Sequence, residues 1–246
     1  MRIGTAGWSV PGRYAGRFPP GGTHLQRYAR ALNAAEINTS FYRPHRRQTY
    51  ERWAASVPPD FRFAVKLPKT ATHGARLVGT EAILDGFFGE VAGLGDRLGP
   101  LLVQLPPKLD FEADVAAGFF AALRERHAGP VACEPRHASW FAPEADALLA
   151  AHRVARVAAD PPAGAPEAAV PGGWPGLAYH RLHGSPRVYF SDYPTEVLVA
   201  LAGRLRAAAD AGAEVWCIFD NTAGSQALGD ALETMDLVSV AATLAR

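Results

Sequence analysis

Short apolar segments alternate along the whole chain with longer segments rich in alanine and leucine. The apolar segments have the length of β-strands, and eight of them lie at residues 2–7, 35–37, 61–66, 101–104, 131–134, 156–159, 178–182 and 215–219. Several of the longer segments begin with threonine or proline and an acidic first turn, as helices do; they cover residues 23–32, 49–55, 81–94, 112–126, 143–151 and 196–211. The pattern predicts about eight repeats of a strand followed by a helix.

The predicted repeats favour a closed parallel sheet. Strands joined through helices run parallel, and about eight right-handed units close such a sheet and remove its edges. The chain has 246 residues, of which 48% are hydrophobic, the usual size for one such barrel. We therefore expect an α/β fold in which residues 1–246 form a single (β/α)₈ domain, a barrel of the TIM type.

One connection departs from the repeat. Residues 161–176, between the sixth and seventh predicted strands, are too rich in proline and glycine for a regular helix. A loop of this length on the expected active-site face is either a functional lid or a disordered tether, and Trp174 gives it an apolar group that can dock. The sequence leaves both alternatives open.

Charge and cysteine content narrow the class of partner. The 25 Lys and Arg residues nearly balance 24 Asp and Glu residues, so no general attraction to nucleic acid or acidic membranes is expected. No apolar run is long enough to span a bilayer, and no signal-peptide pattern opens the chain. Cys133 and Cys217 lie in apolar segments without the spacing of a metal or redox motif. We expect a cytoplasmic protein with reduced thiols and no membrane partner.

Polar side chains gather where the predicted strands end. Side chains alternate across a strand, so Glu36 and Asn38 share one face, as do Glu134 and Arg136. If these faces point inward, the groups converge at the carboxyl end of the barrel, where barrel enzymes have their active sites. The strand-end candidates are Thr5, Trp8, Glu36, Asn38, Lys66, Gln104, Glu134, Arg136, Asp160, Arg181, His183, Asp220 and Asn221.

Six short stretches together resemble a known family. They read IGTAGW from Ile3, EINTSFY from Glu36, QLPP from Gln104, EPRHASW from Glu134, RLHG from Arg181 and FDNT from Phe219. These stretches extend from the first to the last predicted strand. In their combination the chain resembles the YecE-like family, known as domain of unknown function 72. The resemblance implies a TIM-type barrel, and it carries no settled reaction and no established catalytic residues.

The leading hypothesis is an enzyme that uses acid/base chemistry on a small anionic, phosphorylated or carboxylated, polyhydroxy compound at the barrel mouth. It assigns proton transfer to Glu36 and Glu134 and an orienting role to Asp220. Cationic side chains would hold the anionic group: Lys66, Arg136, Arg181 and His183. Further substrate-binding candidates are Trp8, Asn38, His73, Gln104, Tyr193 and Asn221. No cofactor is expected.

Two other classes of function stay open. A metal-assisted phosphodiesterase acting on nucleic acid would hold a divalent metal, with Glu134, Asp160, His183 and Asp220 as ligands. The small number of candidate histidine ligands and the near-neutral charge argue against it. The same polar ring could also serve a non-catalytic ligand-binding barrel. At single positions, Glu134 and Arg136 could form a structural ion pair, and Trp8 and Tyr193 could pack loops.

Overall fold

The computed structural model of the protein describes residues 1–244. The strands are β1 (Arg2–Ala6), β2 (Ala34–Ile37), β3 (Arg62–Lys66), β4 (Leu98–Gln104), β5 (Val131–Glu134), β6 (Val154–Arg156), β7 (Ala158–Asp160), β8 (Gly172–Gly173), β9 (Leu177–Leu182) and β10 (Glu214–Phe219). The α-helices are α1 (His24–Tyr28), α2 (Arg47–Ala55), α3 (Glu81–Val91), α4 (Ala113–Arg126), α5 (Pro143–Ala151), α6 (Thr195–Asp210) and α7 (Ala227–Leu244).

The strands close into an eight-stranded parallel barrel. The order in the sheet is β7-β9-β10-β1-β2-β3-β4-β5-β6-β8. Only Val157 separates β6 from β7, and its backbone N–H donates to the carbonyl of Cys133 at 2.8 Å. These two strands are therefore halves of one barrel strand: β6 pairs with β5 and β7 pairs with β9, both parallel. The predicted (β/α)₈ barrel is confirmed.

All eight predicted strands coincide with barrel strands, and the six predicted helices coincide with α1 to α6 within a few residues. The largest difference is at α1. This helix begins at a capping box formed by Thr23 and Gln26 and already ends at Tyr28, whereas the prediction extended to residue 32. The sequence analysis did not identify α7, which follows the last barrel strand. No helix within residues 1–244 is long and apolar enough to cross a membrane.

The irregular segment 161–176 takes the place of the helix that would follow the sixth barrel strand (β6 and β7). Arg156 points outward from β6, forms an ion pair with Asp146 of α5 at 2.7 Å, and donates to the carbonyl of Glu167 at 2.8 Å. The segment then returns to the amino end of β6, where the Trp174 N–H donates to Val154 at 2.9 Å and β8 pairs antiparallel with β6. Its start packs against the backbone of Arg136, where a Cβ on Gly164 would lie 2.7 Å from the Arg136 carbonyl oxygen. The rest covers the side of the barrel, so the segment is an ordered covering and not a loose tether.

The lower barrel interior is apolar, which confines polar chemistry to the upper end. Small inward residues on β2, β3 and β5 leave room for Tyr179 and Trp216, whose rings stack with centroids 6.1 Å apart. Gly99 lets the Trp216 ring approach, because a Cβ there would lie 2.6 Å from it. Trp174 packs against this cluster from the amino end. Polar side chains begin one layer above these rings.

Candidate active site at the barrel mouth

Arg181 lies at the centre of the mouth and is fully buried. It points inward from β9, on the same face as Tyr179. Its guanidinium donates two hydrogen bonds to Glu36, of 3.0 and 2.6 Å, one to Glu134 at 2.8 Å and one to Asp220 at 3.1 Å. Carboxylates from three different parts of the barrel therefore surround one guanidinium, with the bidentate geometry that strengthens such pairs.

His183 bridges two of these carboxylates. Its Nδ1 lies 3.1 Å from Asp220 Oδ2, and its Nε2 lies 3.1 Å from Glu134 Oε1. The same Glu134 oxygen accepts from Gln104 at 3.0 Å and from Arg136 at 3.0 Å. Because a carboxylate only accepts, both imidazole nitrogens must carry hydrogen for both contacts to be hydrogen bonds. The arrangement favours the imidazolium form of His183.

The network sets the charge of its members. Burial alone would raise the pKa of the Glu134 carboxyl, but Arg181 and His183 outweigh burial and hold this pKa well below its usual range. The pKa of Asp220 is lowered against burial in the same way by Arg181 and His183. Burial opposes the charged form of His183, and its carboxylate partners reverse this effect, so its pKa is raised. Glu134 and Asp220 are therefore ionised at neutral pH.

Lys66 stands beside this network without joining it. It points inward at the end of β3 and is 4% exposed. Its Nζ lies 4.0 Å from the centre of the Phe41 ring, a cation–π contact, and within residues 1–244 the amine makes no hydrogen bond or ion pair. Burial and the charge of Arg181 lower its pKa to about 8. The amine is therefore partly neutral near physiological pH.

His73 contacts the same phenylalanine, with ring centroids 5.0 Å apart. Its Nδ1 lies 2.9 Å from Thr72 Oγ1, and its Nε2 has no partner among the residues that the structure describes. Burial and the charge of Lys66 lower its pKa, so the ring is neutral at physiological pH. The mouth thus holds a neutral imidazole close to an amine that titrates near neutrality.

Arg136 forms the more open edge of the network. Its side chain is 25% exposed, two of its nitrogens bind Glu134, and its Nη1 has no partner in the described part of the chain. Tyr189 lies nearby, with its ring perpendicular to that of His183 and centroids 5.9 Å apart. Its φ of 69° is unfavourable for a non-glycine residue, and Ala223, which donates to the Tyr189 carbonyl at 3.0 Å, helps to hold it.

A cleft of about 420 Å³ opens from the mouth beside β1 and β2. Glu36 and Asn38 form its inner end, and Trp8 and Trp53, whose ring centroids are 5.1 Å apart, contribute an aromatic wall. The Asn38 Oδ1 atom is buried and has no hydrogen-bond partner in the structure. An unpaired buried acceptor next to a cleft suits a hydroxyl or amide donor of a ligand.

Two predicted site residues hold the surrounding loops. Tyr193 accepts from the Gly184 N–H at 2.8 Å and donates to Asp160 Oδ1 at 2.9 Å. Asn221 donates to the Ser191 carbonyl at 2.8 Å and to Asp230 at 2.7 Å. Both side chains therefore fix the connection between β9 and α6, at whose centre Tyr189 lies.

The carboxylates of the mouth are occupied by cationic and amide donors. Within residues 1–244, no group of three His, Cys, Asp or Glu side chains is placed to hold a metal ion. Asp160, a candidate ligand under the phosphodiesterase hypothesis, binds Tyr193. A cation entering between Glu134, His183 and Asp220 would meet the guanidinium of Arg181.

The structure brings most of the predicted residues into one centre. Arg181 and Glu134 make direct contacts to the other central residues. These residues are Glu36, Gln104, Arg136, His183 and Asp220. Lys66 and His73 meet at Phe41, and Trp8 and Asn38 line the adjoining cleft. Tyr179, which donates to Glu36 at 2.9 Å, was missed, although it lies two residues before Arg181 and shares its face. Phe41 was also missed and is part of the EINTSFY stretch.

The fold is a closed (β/α)₈ barrel, and a buried network of ionised groups lies at the carboxyl ends of its strands. The protein is therefore a TIM-type barrel with a polar centre at the end where such barrels have their catalytic sites. The chain belongs to the family described as "Protein of unknown function DUF72", whose model matches residues 2–245. The resemblance seen in the sequence is thereby confirmed.

Curated relatives match parts of the chain. Over 84 residues it is 35% identical to the UPF0759 protein YecE of Escherichia coli (strain K12), a stretch covering 34% of this chain and 31% of YecE. Over 150 residues it is 27% identical to the UPF0759 protein YunF of Bacillus subtilis (strain 168), covering 57% of this chain and 52% of YunF. The matched stretches thus span about a third and about half of these relatives.

Solved structures match nearly the whole chain. A DUF72 family protein from Enterococcus faecalis V583 superposes with a TM-score of 0.80 at 21% identity, covering 97% of this chain and 95% of that chain. A DUF72 family protein from Thermotoga maritima MSB8 gives a TM-score of 0.77 at 24% identity, covering 97% and 98%. At such identities the likeness shows the fold alone.

Proposed function

We propose that the protein is an enzyme that carries out acid/base chemistry on a small anionic polyhydroxy compound at the barrel mouth. The division of charge at the site carries this proposal. Arg181 binds all three carboxylates of the centre, whereas Lys66 Nζ and Arg136 Nη1 keep donors without partners in the described chain. Since the unpaired donors are cationic, a phosphate or carboxylate group complements them best.

The geometry moves proton transfer away from the carboxylates. Glu134 accepts from four side chains, and Glu36 accepts from Arg181 and Tyr179. Hydrogen bonds to the ionised form stabilise it, and the lowered pKa of Glu134 makes this carboxylate a weak base. We therefore assign Glu36, Glu134 and Asp220 to positioning Arg181 and His183.

Lys66 and His73 are better placed to move protons. Each has a nitrogen without a partner in the described chain, and the pKa of each is shifted by burial and by a neighbouring cation. A base whose pKa lies near the working pH transfers protons most effectively. Asn38 and Trp8, in the adjoining cleft, would contact the polyhydroxy part of the substrate. Because both cysteines are buried free thiols, we assign the reaction to the cytoplasm.

Exchange of carbon-bound hydrogen in D₂O tests this function. The protein is incubated with dihydroxyacetone phosphate, glucose 6-phosphate, 3-phosphoglycerate and gluconate, and deuterium uptake is followed by NMR and mass spectrometry. We expect uptake into at least one compound, with a loss of at least about 100-fold in Lys66→Met, the range that general acid/base groups contribute. Arg136→Gln should weaken binding of the same compound, whereas the exposed control Arg76→Gln should change neither.

The same compounds, with a phosphodiester assayed alongside them, separate the alternatives. Saturable binding of these compounds without deuterium uptake would favour a non-catalytic ligand-binding barrel. Cleavage of a phosphodiester only after addition of Mn²⁺ or Zn²⁺ would favour the metal-assisted phosphodiesterase.

A further inference from the structure

Lysine is rare in this chain. Of its 25 basic residues, 22 are arginines and three are lysines, at positions 66, 69 and 108. Lys69 and Lys108 are exposed, and only Lys66 is buried, at the inward end of β3. An arginine would supply charge there but cannot lose its proton in a protein, whereas a buried lysine does so readily. A lysine at this position therefore points to chemistry of a neutral amine.

We propose that Lys66 forms a Schiff base with the carbonyl group of the substrate, which is therefore an aldehyde or ketone that carries an anionic group. This inference rests on the proposed function, because it names the substrate class of the same site. The lone pair of Lys66 Nζ attacks the carbonyl carbon and forms a carbinolamine. The C–O bond then breaks, the two amine hydrogens leave with the oxygen as water, and protonation of the imine nitrogen from solvent gives the iminium ion.

The surroundings of Lys66 suit an amine nucleophile. The backbone of Lys66 is fixed, since Ser40 donates to its carbonyl oxygen at 2.6 Å, and the Phe41 ring contacts the amine at 4.0 Å. The residue as a whole is only 4% exposed. Its Nζ atom, which has no hydrogen-bond partner within residues 1–244, nevertheless keeps some solvent-accessible surface. The accessible nitrogen therefore lies beside the Phe41 ring, and no carboxylate holds it.

Neighbouring groups supply what the later steps need. An iminium ion acidifies the hydrogen on the adjacent carbon, and the neutral His73 imidazole, against the same Phe41 ring, is positioned to take it. Arg136, with Nη1 unpaired in the described chain, can bind the anionic group. The pKa of Lys66, lowered to about 8 by burial and Arg181, keeps part of the amine neutral at physiological pH.

Reductive trapping tests the proposal in a chain with a single lysine. The variant Lys69→Arg/Lys108→Arg changes two exposed positions and leaves only Lys66. It is incubated with sodium cyanoborohydride and, separately, dihydroxyacetone phosphate, glyceraldehyde 3-phosphate or pyruvate, and adducts are mapped by peptide mass spectrometry. We expect one adduct per chain at Lys66 with at least one probe. Its yield should rise about ten-fold from pH 6 to pH 7, as the neutral fraction of the amine does.

Controls make each outcome decisive. Lys66→Arg and Lys66→Met in the same background should lose this adduct and keep only modification of the N-terminal amine, with circular dichroism confirming that they fold. In the wild-type chain, Lys66 should react at least ten-fold faster than Lys69 or Lys108. Equal reaction of the three lysines would overturn the proposal.

The failure of the Schiff base is distinguishable from failure of the proposed function. Deuterium uptake into a substrate without any adduct at Lys66 would overturn the Schiff base and leave acid/base chemistry in place. An adduct at Lys66 without deuterium uptake would support the Schiff base and contradict the proton-transfer step.

Discussion

His180 and His183 show how one strand sets opposite protonation states. His183 faces the barrel interior and meets Glu134 and Asp220, which raise its pKa against burial. His180 lies on the other face of β9 because side chains alternate. Its Nε2 is buried without a partner, and burial together with Arg204 lowers its pKa to about 4. The first ring therefore favours charge and the second excludes it.

The two histidines should make opposite contributions to stability as pH changes. The folded pKa of His180 lies below its unfolded value of about 6.5, so the unfolded state binds the proton more tightly. His180 should therefore destabilise the fold as pH falls from about 6.5 to 4, by about 3 kcal/mol in full. His183, with a raised pKa, contributes stability that is present below pH 6.5 and is lost as pH rises through its folded pKa. Urea unfolding of wild type, His180→Leu and His183→Gln between pH 4 and 9 measures both.

The comparison is made as the stability difference between each variant and wild type at each pH. His180→Leu should gain stability relative to wild type toward pH 4. His183→Gln should be most destabilised at pH 5 to 6.5 and less so at pH 9. Parallel pH profiles for the two variants would contradict the assigned environments.

Glu134→Gln should destabilise the protein even though it preserves shape. The side chain is 1% exposed and meets Arg181, Arg136 and His183, and breaking a buried pair leaves an uncompensated charge at a cost of roughly 3 kcal/mol. Chemical denaturation measures the change. Glu125→Gln, at a solvent-exposed ion pair with Arg126, is the control and should leave the free energy of unfolding nearly unchanged. Unchanged stability of Glu134→Gln would mean that the network relaxes without its charge.

At the scale of elements, local patterns predicted where the barrel strands lie but not what replaces a helix. Strand segments are short apolar runs, and alternation within them predicted that Glu36 shares a face with Asn38 and Glu134 with Arg136, so that these groups converge if the faces point inward. The contacts of segment 161–176 could not be predicted, because the partners of Arg156 come from α5 and from the segment itself. Nor did the pattern indicate that carboxylates would balance the charge of Arg181. Its hydrogen bond to Glu36 joins residues 145 positions apart and exists only once the barrel closes.

Arg156 should act as the anchor of segment 161–176. Its guanidinium, on a side chain 5% exposed, binds Asp146 and the Glu167 carbonyl. Arg156→Leu removes both contacts, so hydrogen exchange in 161–176 should become at least ten-fold faster, since losing about 1.4 kcal/mol of local stability has that effect. Exchange in β9 and β10 should stay unchanged. Arg62→Leu, whose bonds remain within its own turn and strand start, is the control. If the segment exchanges no faster in Arg156→Leu, the backbone pairing of β8 holds it alone.

At the scale of the whole molecule, closure of the barrel depends on how closely β1 approaches β2. A Cβ atom on Gly4 would overlap the carbonyl oxygen of Ala34 and lie 3.0 Å from the Tyr28 hydroxyl. That hydroxyl donates to Ala34 O at 2.9 Å and accepts from the Thr5 N–H at 2.8 Å, so it ties α1 to both strands. Glycine at this position is a packing requirement of closure.

Gly4→Ala should therefore weaken the whole barrel and not one end of it. Because β1 lies between β10 and β2, forcing it away from β2 strains both pairings, and overpacking of this kind costs about 1 to 3 kcal/mol. Gly118→Ala is the matched control: Gly118 is exposed in α4 with open space around its Cβ position, and the change should stabilise the helix by about 0.5 to 1 kcal/mol. Urea unfolding followed by both tryptophan fluorescence and circular dichroism measures the two variants. If closure couples all strands, Gly4→Ala shifts both signals together to lower urea. A fluorescence transition that separates from the circular dichroism transition would instead show that β1 can detach while the remaining strands stay folded.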